Sequence, residues 1–178
     1  MSKSLNVLFA GFGGQGILFA GKVMAYAGLF DGKELSWLPS YGPEMRGGTC
    51  NCSVVLSDEP IGSPLVTAPD VLVAMNLPSL EKFIDAVVPG GSVFLDSSII
   101  DKKVERTDIN VYYVPATKLA EENSLKGLAN IILLGKVLKE SCFADDEAVE
   151  KGIRKCVPAR KAEMVDFNLK AVEIGKSI

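Results

Sequence analysis

Residues 5–30 read LNVLFAGFGGQGILFAGKVMAYAGLF, and no other stretch constrains the chain as much. The apolar run from Leu5 to Ala10 has the length and flanks of a buried strand. Glycines end it, and a longer segment of helical character follows. Gly11, Gly13 and Gly16 spell G-x-G-x-x-G between the two. Glycine at such a place lets the backbone turn tightly and lets a phosphate or another chain approach the helix N–H groups.

The rest of the chain keeps the alternation. Strand-like runs occur at Glu34 to Leu38, Asn51 to Ser57 and Asp70 to Met75, then in SVFLDSS and NVYYVPA. SDEPIGSP is a turn by its Pro, Gly and Asp content. LPSLEKFIDAVV carries Pro78 in its first helical turn, where a missing N–H costs nothing, and PGG stops it. GLANIILLGKVLKE is apolar nearly all round and predicts a buried helix. The two segments after it place Val149, Ile153 and Cys156, then Val165, Leu169 and Val172, on single helical faces. The pattern predicts one α/β domain over residues 1–178. Its fold class is a three-layer, Rossmann-like domain, a mostly parallel sheet with helices on both faces. In such sheets ligands meet the loops at the carboxyl ends of the strands.

Composition removes whole classes of chemistry. The 178 residues include no histidine, which excludes Ser-His-Asp triads, histidine bases and histidine-ligated metals. The four cysteines, Cys50, Cys52, Cys142 and Cys156, form no C-x-x-C. Cys50 and Cys52 are spaced to share one face of a strand, a poor arrangement for zinc or an iron–sulfur cluster, and read as ordinary buried thiols. No metal ligand is assigned. The N-terminus lacks a convincing signal peptide and no run is long enough to span a membrane, so a reducing cytoplasm is expected. The net charge of −3 gives no basic field for nucleic acid, and IRKCVPARK, residues 153–161, reads as a solvated helix end.

Two nucleotide motifs need weighing. A dinucleotide site wants an acid at the end of the second strand, but Asp31 and Glu34 precede LSWL and Pro39 and Ser40 follow it. A stand-alone NAD(P)- or flavin-binding dehydrogenase is therefore the alternative reading. Gly16 to Lys22 imitates a Walker A motif, but Val23 replaces the hydroxyl residue that would hold magnesium.

SYGPEMRGGTCNC, residues 40–52, is the most unusual loop, with three glycines, a proline and an arginine between Met45 and Gly47. GFGGQG, then SYGPEMRGGTCNCSVVLS, then PDVLVAMN is an order that resembles the gamma subunit of 2-oxoacid:ferredoxin oxidoreductases. These thiamine-diphosphate enzymes oxidise pyruvate, 2-oxoglutarate or branched-chain 2-oxoacids. The beta-type subunit of indolepyruvate:ferredoxin oxidoreductase is the nearest look-alike. The resemblance runs from about Leu5 to beyond Gly135, and departs at Cys50, where a small residue such as Ala is more usual.

The resemblance implies a reaction divided among chains. Thiamine diphosphate, Mg and iron–sulfur clusters belong to partner subunits, and coenzyme A is the co-substrate. The partners implied are alpha, beta and ferredoxin-like subunits and ferredoxin, with a homodimer when the chain is isolated. The sequence independently lacks a G-D-G motif with its downstream Asn and any ferredoxin-like cysteine run. No catalytic residue is assigned, and the isolated chain is expected to be inactive. The resemblance implies that Tyr41, Gly42, Glu44, Arg46, Gly47 and Gly48 form a loop covering the shared active site. Arg46 meets an anionic group or a partner chain. Gly11, Gly13, Gln15 and Gly16 form a second candidate contact, with Gln15 read as a helix cap. Asn76, Asp96, Ser97, Ser98 and Asn130 are expected to make structural hydrogen bonds.

Overall fold

A strand that lies in the middle of a sheet must be apolar on both faces, and β1 (Ser4–Phe12) is. Val7 and Phe9 point to one side, Leu8 and Ala10 to the other, and all four are buried. In the computed structural model, which describes residues 4–41 and 49–178, six strands form one sheet in the order β2-β3-β1-β4-β5-β6. The others are β2 (Glu34–Tyr41), β3 (Thr49–Ser57), β4 (Val71–Ala74), β5 (Ser92–Asp96) and β6 (Asn110–Val114). β1, β4, β5 and β6 are parallel neighbours, while β3 runs antiparallel to both β1 and β2. Five of the six strands therefore point the same way, as a mostly parallel sheet requires.

The two faces carry unequal helical layers. Val7, Phe9, Cys52, Val54, Val73 and Phe94 pack against α1 (Ile17–Phe30), α3 (Ala116–Glu122), α4 (Ala129–Ser141), α5 (Asp146–Cys156) and α6 (Met164–Lys176). Leu8, Ala10, Leu72, Ala74, Val93 and Leu95 pack against α2 (Leu77–Phe83) and the segments around residues 84–87 and 100–109. Helices do cover both faces, but most of the helical mass lies on one.

α4 is buried along nearly its whole length, with Ile131 to Leu134 and Val137 at most 1% exposed. It can pack so closely on α6 because glycines face each other. A Cβ on Gly135 would run into the carbonyl of Val172, and one on Gly175 into the carbonyl of Ile132. α5 is a surface helix held by local chemistry. Asp145 caps it, accepting the Ala148 N–H at 2.7 Å. Asp146 and Glu147 open it and Arg154 and Lys155 close it, each matching the helix dipole.

β2 continues through Pro39 to Tyr41, past the Leu38 boundary expected from sequence. It is an edge strand, where a residue without an N–H is tolerated. Among the described residues, no helix is long and apolar enough to cross a membrane.

Candidate functional site

The carboxyl ends of β1, β2, β4, β5 and β6 share one edge of the sheet, and the turns that leave it are held by side-chain hydrogen bonds. β1 runs into the glycine motif, so Gly11 is still a strand residue, paired with Cys50. A Cβ there would lie 2.6 Å from Gln15 Oε1 and 2.7 Å from Ile17 Cδ1. The left-handed backbone falls on Gly14 and Gly16, at φ +99° and +75°. Gly16 is also the N-cap of α1, with no side-chain cap.

Gln15 is thus not the helix cap expected of it. Its Oε1 accepts the Phe12 N–H at 2.7 Å, and its Nε2 donates to the Met75 carbonyl at 2.7 Å. A Gln side chain is long enough to fold back across the turn, and here it ties the end of β1 to the end of β4. Asn130 supports the same turn from α4, donating from Nδ2 to the Gly16 carbonyl at 2.9 Å. Asn76 caps α2, its Oδ1 accepting the Ser79 N–H at 2.8 Å. Asp96, fully buried at the end of β5, accepts from Thr117 Oγ1 at 2.5 Å, Thr117 N–H at 3.2 Å and Ser98 N–H at 3.1 Å. Ser98 Oγ accepts the Lys118 N–H at 3.1 Å, and the Ser97 N–H reaches the Val114 carbonyl at 2.8 Å. Asn76, Asp96, Ser98 and Asn130 do the structural bonding expected of them, whereas the bond at Ser97 is made by its backbone. Thr117 was not foreseen, because its partner lies 21 residues away in the chain.

The chain leaves β1 through α1 on one face and β4 through α2 on the other, so the winding reverses between these two strands. That reversal opens a crevice in doubly wound sheets. Here it holds a cleft of about 200 Å³, lined among others by Gly14, Gln15, Met75, Thr117, Glu121 and Lys126. Two larger hollows, of about 420 and 550 Å³, lie between α2 and residues 102–106 and between α1 and β2, away from this turn.

The ends of the unusual loop reach the same edge. Tyr41 pairs with Cys50, which pairs on its other side with Gly11, and Thr49 pairs with Phe12. Of the residues the sequence singled out in that loop, Tyr41 is the last of β2. Gly42, Glu44, Arg46, Gly47 and Gly48 lie outside the described residues. Of the glycine-turn residues singled out by sequence, Gln15 lines the cleft, Gly11 packs against Gln15, and Gly13 and Gly16 stand in the same turn.

Cys50 and Cys52 alternate along β3 and both point into the core beneath α1, as their spacing predicts. Burial pushes the Cys52 thiol up to about 12 and raises that of Cys50 as well. Neutral, buried thiols make poor metal ligands. Among the described residues, no three Cys, Asp or Glu side chains gather in a way that would hold a metal ion.

Known proteins resemble this chain over nearly its whole length. The family description "Pyruvate ferredoxin/flavodoxin oxidoreductase" matches residues 6–178. The ketoisovalerate oxidoreductase subunit VorA of Methanothermobacter thermautotrophicus is 40% identical over 171 residues, 96% of this chain but 35% of VorA, so the chain spans about a third of that relative's length. The 2-oxoglutarate synthase subunit KorC of Methanocaldococcus jannaschii is 37% identical, covering 97% of this chain and 95% of KorC. Among solved structures, the gamma subunit of a keto/oxoacid ferredoxin oxidoreductase from Geobacter sulfurreducens superposes with a TM-score of 0.82, at 29% identity over 97% of this chain and 96% of that one. A 2-oxoglutarate:ferredoxin oxidoreductase from Magnetococcus marinus, solved with 2-oxoglutarate, coenzyme A and succinyl-CoA, gives a TM-score of 0.86 at 26% identity, over 98% of this chain and 31% of that one. From the first strand to the last helix, the chain belongs to the pyruvate ferredoxin/flavodoxin oxidoreductase family.

Proposed function

We propose that the chain is the gamma-type subunit of a 2-oxoacid:ferredoxin oxidoreductase, acting on 2-oxoglutarate or a branched-chain 2-oxoacid. The complex would convert the 2-oxoacid and coenzyme A to acyl-CoA and CO₂, passing the electrons to ferredoxin. The observation that carries this reading is the near end-to-end correspondence with KorC, which covers 97% of this chain and 95% of that subunit.

Thiamine diphosphate with its magnesium, and the iron–sulfur clusters, are assigned to partner chains. The described residues do not fit them: the cysteines of β3 are buried in the apolar core, and no acidic cluster offers a magnesium site. No chemical step is therefore derived through these groups in this chain.

What the chain supplies is a surface. On this reading Tyr41, which ends β2 at the crevice edge, together with Gly42, Glu44, Arg46, Gly47 and Gly48, serves to cover the shared active site and exclude water from it. Arg46 offers a fixed guanidinium to a carboxylate or a coenzyme A phosphate, and Glu44 braces it. The glycine turn beside the loop, from Gly11 to Gly16 with Gln15, adds a contact for coenzyme A or a partner. The partners are the alpha, beta and ferredoxin-like subunits and ferredoxin, in the cytoplasm, and the isolated chain pairs with itself.

The test is affinity purification of the native complex through a tag on this chain. Its coenzyme A-dependent reduction of ferredoxin is then measured with pyruvate, 2-oxoglutarate and 3-methyl-2-oxobutanoate. The expected result is co-purification of larger, cluster-bearing chains with activity on one of the latter two. A chain that purifies alone and is strongly stabilised against heat by NAD(P)H or FAD would overturn the reading in favour of a stand-alone dehydrogenase.

A further inference from the structure

Charges on the outer helical layer are mostly matched. On α5, Lys151 pairs with Glu147 at 2.6 Å and Arg154 with Glu150 at 2.7 Å, and Lys176 of α6 reaches Asp146 at 2.7 Å. The last turn of α5 and the segment after it break this rule. Lys155, Arg160 and Lys161 are exposed, and none makes an ion pair among the described residues. Arg160 and Lys161 border an apolar hollow of about 260 Å³, walled by Phe19, Leu128, Val157 and Met164. Phe167, 45% exposed, stands on the same helix as Met164. The stretch 153–161, which reads from sequence as a mere solvated helix end, thus rims a pocket the size of one or two apolar side chains.

An apolar hollow with an unmatched cationic rim fits a definite chemistry. Its apolar part rewards a buried Leu or Phe, and its rim rewards carboxylates beside that anchor. A cationic segment would be repelled, and a neutral one would leave the rim unanswered. Arg160 and Lys161 are the charged side chains that line the hollow, while the exposed Glu163 and Asp166 stand nearby in the chain.

We propose that the hollow between α1, α4 and the α5–α6 connection docks an acidic segment of another polypeptide, which inserts one apolar side chain between Phe19, Val157 and Met164 and sets carboxylates against Arg160 and Lys161. This contact lies on the helical layer and does not depend on the role given to Arg46 or on which 2-oxoacid is used.

The test uses the full chain and two fluorescently labelled hexapeptides, EDLFDE and KKLFKK, with affinity read by anisotropy. EDLFDE is expected to bind, and KKLFKK at least tenfold more weakly. The double variant Arg160→Glu/Lys161→Glu, at exposed positions, is expected to weaken EDLFDE about tenfold or more. Met164→Gln should weaken it severalfold. Lys82→Glu/Lys103→Glu, the same change of charge on the other side of the sheet, should leave affinity unchanged. No binding of EDLFDE at millimolar peptide would overturn the proposal. So would equal binding of the two peptides, indifference to the Arg160/Lys161 reversal, or equal weakening by the control pair.

Discussion

The helical core and the carboxyl edge of this molecule are held together by different physics. Around α4 the contacts are apolar and geometric: Ile131 to Leu134 are enclosed, and Gly135 and Gly175 let two helix backbones meet. At the ends of β1, β4 and β5 the turns are fixed by polar side chains: half-buried Gln15 and buried Asn76, Asp96 and Asn130. The core tolerates no added atom, whereas the edge tolerates no lost hydrogen bond. Among the described residues both hold unsatisfied groups, Asn168 Oδ1 in the helical layer and two at the edge. Asn76 Nδ2 and Asn130 Oδ1 are buried there without a partner among the described residues, and such groups cost free energy.

The difference can be broken most forcefully in the core. Gly135→Ala forces a Cβ onto the Val172 carbonyl, and backbone cannot give way as a side-chain tip does. A loss of about 3 kcal/mol is expected from urea unfolding. A loss within experimental error would mean that α4 and α6 are not locked as described.

At the edge, Asp96→Ala removes one acceptor and leaves the Thr117 hydroxyl and N–H and the Ser98 N–H unanswered. About 2 kcal/mol of stability should go, with Asp96→Asn costing less because one acceptor oxygen remains. Equal costs for the two substitutions would show that the one oxygen kept by Asn holds none of these donors. Gln15→Ala cuts the tie between Phe12 and Met75 and should cost about 1 kcal/mol. Hydrogen exchange sharpens the comparison here: the Phe12 amide should lose protection while amides in the middle of α4 keep theirs.

Cys52 sits where the two regimes meet, packed under α1 and bonded weakly to the Ile17 carbonyl. Its thiol is pushed up to about 12 in the folded chain, from an ordinary value near 9. The folded state therefore prefers the protonated form. Its stabilising contribution is complete below about pH 9 and is lost as pH rises toward 12. Relative to Cys52→Ala, the wild-type chain should lose on the order of 1 kcal/mol between pH 8 and pH 10. In the folded chain at pH 8, exposed Cys142 should react with a thiol reagent well before Cys52. Rapid labelling of Cys52 would place it outside the core.

Much of the frame was legible in the residues because it is local. The strand–glycine–helix unit, the enclosed α4 and the shared face of Cys50 and Cys52 follow from periodicity alone. What was hidden depends on distant partners. Nothing near Gln15 announces that its amide reaches Met75, 60 residues on, so a helix cap was the natural local reading. The pairing of Asp96 with Thr117 spans 21 residues and has no motif. The antiparallel place of β3 between β1 and β2, and the extension of β2 through Pro39, are set by neighbours in the sheet and not by the strand's own residues. The loop was marked by its composition, and the strands that carry it end beside Gly11 and Phe12.

Steady-state kinetics of the reconstituted complex carrying Arg46→Ala bear most directly on the proposal that the crevice edge serves a reaction performed in other chains. With assembly verified by size exclusion, kcat/KM for the 2-oxoacid or for coenzyme A should fall about tenfold or more, the scale of a lost charge-assisted contact. Unchanged kcat/KM for both substrates in a fully assembled complex would contradict it.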